Sequence, residues 1–306
     1  MKKSSLFVVV GALLLSACST TSASNTASPS SASTFPVTIS NNNSSVVIST
    51  APKAIISLSP TATEMLFAIN AGSQVVAVDN QSNFPANVPA SDLSGFTPNL
   101  EAIVAKKPDL VVVSNDIDNI VASLTKANVP VLVEPAATTL DDTYAQTKEL
   151  GQATGHVSEA STLVASMQTE IKKAKDSVKS VNGLSVYHEL DNTMYTVTSS
   201  TFVGSIYKEF GLSNIADASP DAASGYPQLS AEYIVKANPS LIFLADSKCC
   251  SVDAASLSKR AGFASLTAIS SGNVFTLDDD VASRWGPRTP LLYQSIAEAI
   301  NKASSK

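Results

Sequence analysis

The 306-residue chain has few of the residues that form disulfide frameworks or hold metal ions. Its three cysteines are Cys18 and the neighbours Cys249 and Cys250, and its two histidines, His156 and His188, lie far apart in the sequence. No Cys-x-x-Cys motif is present, so we expect no metal site. Because no disulfide framework supports the fold, the fold must depend on its hydrophobic core.

Positive charge is also scarce, because 20 lysines and arginines face 26 aspartates and glutamates and leave a net charge of −6. This balance argues against a nucleic-acid partner. The sequence has no Gly-x-Ser-x-Gly elbow, no Gly-x-Gly-x-x-Gly turn and no phosphate-binding lysine motif. We therefore expect a protein that is not an enzyme and needs no cofactor, with a surface adhesin as the other non-catalytic class.

The N-terminal apolar run, from Leu6 to Leu15, is too short to cross a bilayer as a permanent anchor. Lys2 and Lys3 precede it and small residues follow it, which is typical of an export signal. The sequence Leu-Ser-Ala-Cys that ends at Cys18 resembles the lipobox of bacterial lipoproteins. This resemblance implies cleavage before Cys18 and a lipid on the new N-terminus, and ordinary secretion with a chance cysteine is the alternative.

Residues 19–48 consist largely of Ser, Thr, Ala and Asn. Such a tract cannot bury enough apolar surface to offset the entropy of ordering it, so we expect a disordered tether. Residues 1–18 would then be a lipoprotein signal peptide. The sequence predicts an extracytoplasmic protein that the lipid alone holds to the cell membrane.

An internal repeat divides the rest of the chain. Glu101 begins a short apolar helix, Pro108 follows seven residues later, and an apolar strand comes next. Glu232 and Pro239 repeat this spacing and are also followed by an apolar strand. A proline that ends a helix before a strand with no polar residues indicates a parallel sheet buried on both faces. The repeat therefore predicts two similar α/β lobes.

Further elements extend this pattern. We predict strands at residues 54–58, 184–187 and 195–197, with helices beginning near Ser59 and Thr201. From Val157 onward, apolar residues recur at helical spacing over about 25 residues, enough for a spine of roughly 35–40 Å. The predicted fold is α/β, with two Rossmann-like lobes at residues 49–150 and 183–306 joined by a single long α-helix at residues 151–182.

The sequence Ile55–Glu64 resembles the opening of a family of substrate-binding proteins of bacterial ABC importers, which have a helix as the backbone between their lobes. The family binds cobalamin, haem or iron–siderophores. The resemblance extends over the whole mature chain. It implies a monomer that holds a small-molecule ligand in the cleft between the lobes and delivers it to an ABC importer permease.

Within this family the chain most resembles the cobalamin-binding branch. Tyr226-Pro227-Gln228 before Glu232 matches that branch, as do Asp280, Arg284, Pro287 and Arg288. The resemblance implies that Glu101 and Glu232 dock onto arginines of the permease. The chain departs from the branch in its aromatic residues, because the branch favours tryptophan in the cleft and this sequence has only Trp285. An iron–siderophore or haem is therefore the alternative ligand.

A corrinoid is large, flat and rich in amides, so its site needs aromatic walls and a few orienting polar groups. Each candidate has a structural alternative: an aromatic residue can belong to the core, and Asn115, Asp116 or the acids before Arg284 can cap a helix. His188 follows a strand and is either an axial metal ligand or a hydrogen-bonded histidine. The candidate ligand-binding residues are Ser59, Pro60, Asn80, Phe84, Phe96, Asn115, Tyr226, Asp280, Arg284 and Trp285.

Overall fold

The computed structural model describes residues 34–41, 44–181 and 183–305. Short 3₁₀ turns occur between the main elements. The strands of this part of the chain are β1 (Val37–Asn41), β2 (Ser44–Ile48), β3 (Ile55–Leu58), β4 (Val75–Val78), β5 (Leu110–Val113), β6 (Val131–Val133), β7 (Ser185–Glu189), β8 (Ser213–Asn214), β9 (Leu241–Leu244) and β10 (Val274–Thr276). Its α-helices are α1 (Pro60–Ala68), α2 (Leu100–Ala105), α3 (Ile120–Lys126), α4 (Leu140–Thr154), α5 (Val157–Asp176), α6 (Phe202–Glu209), α7 (Ala231–Ala237), α8 (Ser247–Cys250), α9 (Ala254–Leu257), α10 (Thr267–Ser270), α11 (Asp279–Ser283) and α12 (Thr289–Ser304).

The two predicted lobes are confirmed by their sheets. The N-terminal lobe has the parallel strand order β4-β3-β5-β6, and the C-terminal lobe has the parallel order β8-β7-β9-β10. In both, the second strand of the lobe lies beside the first, and the third and fourth follow on the other side. Every residue of β3, β5 and β9 is buried, as expected for strands covered on both faces.

Helix α5 packs against the cores of both lobes. Ala160, in its first turn, belongs to a core cluster of the N-terminal lobe, whereas Val164, Met167 and Ile171 belong to a core cluster of the C-terminal lobe. Leu163 touches both clusters. With 20 residues, α5 is about 30 Å long at 1.5 Å per residue. It therefore has the place in the fold that the sequence predicts for the linking helix.

The linking helix is shorter than the predicted range of residues 151–182. Gly155 ends α4 in the left-handed conformation with φ of 85°, and α5 begins only at Val157. This conformation is easily adopted only by glycine, so the helical pattern is interrupted there. At the other end α5 stops at Asp176.

The predicted tether is wrong at its C-terminal end, because β1 and β2 form an antiparallel hairpin there. Ile39, Val46 and Ile48 are buried against the N-terminal lobe and alternate with exposed residues. This period of two is typical of a strand with one buried face, but the surrounding serines and asparagines obscure it in the sequence. The signal peptide, the earlier part of the tether and the lipidation site Cys18 lie outside the described residues.

The predicted strand at residues 195–197 is also wrong, since Tyr195 makes only an isolated bridge with Gln228. The first strand of the C-terminal lobe is β7, where the sequence also predicts one. None of the helices in the described ranges is both long enough and apolar enough to cross a membrane.

Candidate functional site

The strand order of each lobe locates a crevice at the carboxyl ends of its strands. The second strand lies on one side of the first strand, and the third strand lies on its other side. The loops at the carboxyl ends therefore run in opposite directions, and a crevice opens between the first and third strands of each sheet. In the N-terminal lobe these strands, β3 and β5, are followed by Ser59 and Ser114. In the C-terminal lobe β7 and β9 are followed by Leu190 and Ala245. We call the space between these two sets of loops the interlobe cleft.

Exposed aromatic residues concentrate on the loops that leave the carboxyl ends of the strands. Phe96 is 72% exposed and Tyr226 is 54% exposed. Phe96 lies between β4 and α2, and Tyr226 lies between β8 and α7, so the two occupy equivalent loops of the two lobes. Tyr195 and Phe84 are also exposed and lie on loops of the same kind. The structure therefore places two predicted aromatic residues at matching positions on both lobes.

The other predicted aromatic residues have different surroundings. Phe84 lies with its ring 4.4 Å from the Arg288 guanidinium, at the edge of a cavity of about 430 Å³ between its loop and helices α11 and α12. Trp285 is partly buried, packs against core clusters of both lobes, and donates a hydrogen bond from Nε1 to Gln146 at 3.0 Å. Trp285 thus lies at the junction of the lobes rather than on an open loop.

The predicted polar residues of the N-terminal lobe lie on the loops of the cleft. Ser59 is buried and caps α1 by accepting a hydrogen bond from the Ala62 amide, and Pro60 is the first residue of that helix. Asn80 and Asn115 are exposed, after β4 and β5 respectively. Asp116 accepts a hydrogen bond from the Val121 amide at 2.9 Å, which is the capping role that the sequence left open.

Arg284 and Arg288 join the two lobes through one buried carboxylate. Glu64, on α1 of the N-terminal lobe, has a fully buried side chain. Its Oε1 accepts from Arg284 at 2.7 Å and from Arg288 at 2.6 Å, and its Oε2 accepts from Arg288 Nε at 2.8 Å. The hydrogen bond to Glu64 raises the pKa of Arg288. Both guanidinium groups are thus engaged across the lobe interface.

Asp280 belongs to the same contact. It accepts from Arg284 Nη2 at 3.0 Å and from Asn83 Nδ2 at 3.2 Å, so it too reaches the N-terminal lobe. Burial acts to raise the pKa of Asp280, but a hydrogen bond from Lys248 and the charge of Arg284 lower it below its ordinary value. Arg284 also donates to the Gln81 carbonyl at 3.0 Å. The structure therefore brings Asp280 and Arg284 together, within an interlobe ion network.

Sequence reasoning missed Glu64 as a functional candidate. A signal was present, because Glu64 is the only charged residue of α1, which is otherwise apolar or uncharged. A buried carboxylate needs a cation or hydrogen-bond donors, so its burial predicts a partner. The identity of the partner could not be read from the sequence, since Arg284 lies 220 residues further along the chain.

His188 is a hydrogen-bonded core histidine. It is fully buried in the C-terminal lobe, and its Nδ1 lies 2.8 Å from the Tyr207 hydroxyl. Burial lowers the pKa of His188 to about 4, so it is neutral at pH 7. Within the described residues, no cluster of three or more His, Cys, Asp or Glu side chains has the geometry of a metal site.

Glu134, directly after β6, is another buried acid of the N-terminal lobe. It is 2% exposed, and its carboxyl oxygens have no hydrogen-bond donor among the described side chains and backbone. It lines a cavity of about 270 Å³ together with Glu149. Burial and the charge of Glu149 raise the pKa of Glu134 to about 9. Unlike Glu64, Glu134 is therefore protonated at pH 7.

Glu101 and Glu232 occupy equivalent positions in the two lobes. Each is exposed and is the second residue of a short helix, α2 and α7 respectively. Each helix is capped by a side chain, from Asn99 and Ser230. The repeat thus gives each lobe one exposed carboxylate at a matching site.

The chain is similar to proteins of known family over most of its length. It is 30% identical over 267 residues, 83% of this chain and 82% of the relative, to an uncharacterized ABC transporter substrate-binding lipoprotein, YvrC, of Bacillus subtilis. It is 28% identical over 252 residues, 79% of this chain and 68% of the relative, to a cobalamin-binding protein of Halobacterium salinarum.

A solved structure supports the same relationship. The crystal structure of a possible iron-binding, periplasmic solute-binding protein from Staphylococcus epidermidis matches with a TM-score of 0.71 and 27% identity, over 82% of this chain and 99% of that one. The family model for periplasmic binding proteins matches residues 55–281, which include both sheets and the helix between the lobes. The chain belongs to the periplasmic binding protein family.

Proposed function

We propose that this protein is the substrate-binding lipoprotein of an ABC importer, and that it captures cobalamin or a related corrinoid in the interlobe cleft and delivers it to the permease. The observation that carries the proposal is the pair of exposed aromatic residues, Phe96 and Tyr226, at equivalent loops of the two lobes. A flat macrocycle held between two lobes needs an aromatic or apolar surface on each side. The similarity to a cobalamin-binding protein supports the same ligand.

Haem or an iron–siderophore is the alternative ligand, and the similarity to a possible iron-binding protein favours it. A haem held by histidine fits the cleft poorly. His188 is buried within the C-terminal lobe, and His156 lies between α4 and α5, away from the carboxyl ends of the strands. A corrinoid carries its own cobalt ligands within the macrocycle and needs no protein histidine to be held. This difference favours the corrinoid over a haem held by histidine.

The experiment that tests the ligand is a single calorimetric series with the mature protein. Cyanocobalamin, haemin and ferrichrome are each titrated under the same conditions. We expect saturable 1:1 binding of cyanocobalamin, and a red chromophore that stays with the protein through desalting. Binding of haemin or ferrichrome without binding of cyanocobalamin would show that the ligand assignment is wrong.

The proposal also places the protein outside the cytoplasm, attached to the cell membrane through a lipid on Cys18. The relative from Bacillus subtilis is named a lipoprotein, which supports this. Cys18→Ala should release the protein into the soluble extracytoplasmic fraction. A variant that still sediments with membranes after a high-salt wash would contradict the lipid anchor.

A further inference from the structure

The turn that follows β9 carries an adjacent pair of cysteines at the crevice of the C-terminal lobe. Helix α8 spans Ser247–Cys250, and Cys249 and Cys250 are joined by a disulfide. The third strand of a lobe borders the crevice, so its following turn faces the interlobe cleft. Cys249 is exposed, whereas Cys250 packs against a core cluster of the C-terminal lobe. One half of the disulfide is thus seated in the lobe and the other is presented to solvent.

Three consecutive acids hold this turn in place. Asp279 accepts hydrogen bonds from the Ser247 hydroxyl at 2.9 Å, the Lys248 amide at 2.8 Å and the Cys249 amide at 3.3 Å. Lys248 Nζ donates to Asp278 at 2.9 Å and to Asp280 at 3.1 Å. The acids of residues 278–280 therefore anchor the turn, and Asp280 connects it to the interlobe ion network.

Backbone amides of the turn have hydrogen-bond partners within the protein. The Cys250 amide donates to the Asp246 carbonyl at 3.1 Å, and the amides of Lys248 and Cys249 are bound by Asp279. The Cys249 side chain consists of sulfur and methylene, which are apolar and polarisable, and its Sγ lies 3.6 Å from the Asp246 carbonyl oxygen. Such a surface suits the flat face or the apolar edge of a large ring better than a charged or strongly hydrogen-bonding ligand group.

A structural role does not explain the bond. A disulfide between neighbouring residues closes almost no loop, so it constrains the unfolded chain very little. Cys249 is exposed, and the three hydrogen bonds to Asp279 hold its turn in one position. Both features are expected of a surface that contacts a ligand. We propose that the Cys249–Cys250 disulfide is a ligand-contacting wall of the interlobe cleft that packs against the corrinoid macrocycle. This inference rests on the proposed function.

The test compares affinities for cyanocobalamin, measured by calorimetry, among the wild type and three variants. The double variant Cys249→Ser/Cys250→Ser removes the wall and should bind about tenfold more weakly. Asp279→Ala keeps the disulfide but frees the turn, and should weaken binding to a smaller extent. Val47→Ser removes an exposed apolar side chain on the distant β2 and is the matched control, with unchanged affinity expected. A double variant within twofold of the wild type would overturn the inference.

A second measurement uses the wild type and does not depend on how the variants fold. A water-soluble phosphine reduces the disulfide, and the new thiols are trapped with a maleimide and counted by mass spectrometry. Saturating cyanocobalamin should slow this reduction several-fold, because a bound macrocycle covers Cys249. An unchanged rate in a complex shown to be saturated would overturn the inference.

The two proposals fail in different ways. If the wild type does not bind cyanocobalamin but binds haemin or ferrichrome, the ligand assignment is wrong, and the same variants are compared with the ligand that binds. If the wild type binds cyanocobalamin and the double variant binds it equally well, the proposed function stands and the disulfide wall is wrong.

Discussion

Each lobe buries a glutamate near the carboxyl end of its first strand, but the two lobes neutralise it differently. Glu189 ends β7, and its carboxylate accepts two hydrogen bonds of 2.7 Å from Arg260 of the same lobe. Glu64 follows β3, and its partners are Arg284 and Arg288, which belong to the C-terminal part of the chain. The C-terminal lobe therefore supplies the cation for its own glutamate, whereas the glutamate of the N-terminal lobe depends on cations from the C-terminal part of the chain.

This difference limits how far the lobes can separate. Opening them would leave the Glu64 carboxylate without its cations, and an uncompensated buried charge costs several kcal/mol. The Glu189–Arg260 pair is unaffected by such an opening. Since α5 also packs in both cores, we expect only a small change in lobe separation when the ligand binds.

Removing either glutamate should destabilise the protein more than any other change considered below. Glu64→Ala should lower the free energy of unfolding by about 3–5 kcal/mol, because it removes the carboxylate that Arg284 and Arg288 share at a largely buried site. Glu189→Ala should cost less, because Arg260 is partly exposed and Asp246 remains beside it. Urea denaturation measures both values.

Hydrogen exchange distinguishes the two variants by the regions in which exchange increases. Glu64→Ala should increase amide exchange in both α1 and residues 279–288, whereas Glu189→Ala should increase it in the C-terminal lobe only. Exchange that rises in one lobe alone for both variants would contradict the difference between the lobes.

Glu134 differs from both glutamates, because no described side chain donates a hydrogen bond to its buried carboxyl group. Its pKa in the folded protein, about 9, exceeds the usual value of 4.5, so the folded state holds a proton that the unfolded state releases. Its contribution to stability is therefore fully present below about pH 4.5 and is lost as the pH rises towards 9.

Glu134→Gln should remove this loss. Relative to the wild type, the variant should gain stability on the order of 2 kcal/mol between pH 5.5 and pH 8.5, given a limit of ~1.4 kcal/mol per pH unit for one proton. Thermal unfolding at both pH values, in buffers that contain a metal chelator, measures the difference. Glu64→Gln is the control and should destabilise at both values. A Glu134→Gln variant whose stability changes with pH in the same way as that of the wild type would refute the protonated state.

Replacing the aromatic residues tests whether the lobes contribute equally to ligand binding. Phe96→Ala and Tyr226→Ala should each weaken cyanocobalamin binding by about 1–2 kcal/mol, roughly 5- to 30-fold. Stability should change little, since both side chains are more than half exposed. Calorimetry measures the affinities, and a large loss for one variant with none for the other would mean that the ligand rests on a single lobe.

The smallest effect on the isolated protein is expected for the two exposed carboxylates. The double variant Glu101→Ala/Glu232→Ala should keep its ligand affinity and lose no more than about 1 kcal/mol of stability from each helix end. Uptake of the ligand by cells should nevertheless fall sharply, with intermediate loss for the single variants. Charged pairs at the rim of a protein–protein interface govern how fast the partners associate and how they align. Normal uptake by the double variant would exclude these residues as the docking pair.

The sequence predicted the elements that depend on local pattern. The spacing of Glu101 to Pro108 and of Glu232 to Pro239 identified matching helix–strand units, and the structure confirms both. The apolar periodicity from Val157 identified the helix between the lobes. These features follow from residues close together in the chain, where helix breakers and buried strands leave a direct signal.

Features that depend on tertiary contacts could not be predicted in the same way. The hairpin β1–β2 is stabilised by packing against the N-terminal lobe, so its polar composition predicted disorder instead. The partners of Glu64 come from the far end of the chain. The role of the acids at residues 278–280 was also ambiguous, because they anchor a turn about 30 residues earlier in the sequence.

The hairpin β1–β2 lies beside an edge of the N-terminal sheet. β6 is an edge strand of the N-terminal sheet, and β2 lies beside it while Asn41 donates to the Val133 carbonyl at 2.8 Å. An uncovered edge strand can recruit a strand from another molecule and start aggregation. The proposed lipid anchor would confine the molecules to two dimensions, where copies meet often. There the hairpin would prevent neighbouring copies from pairing their sheets.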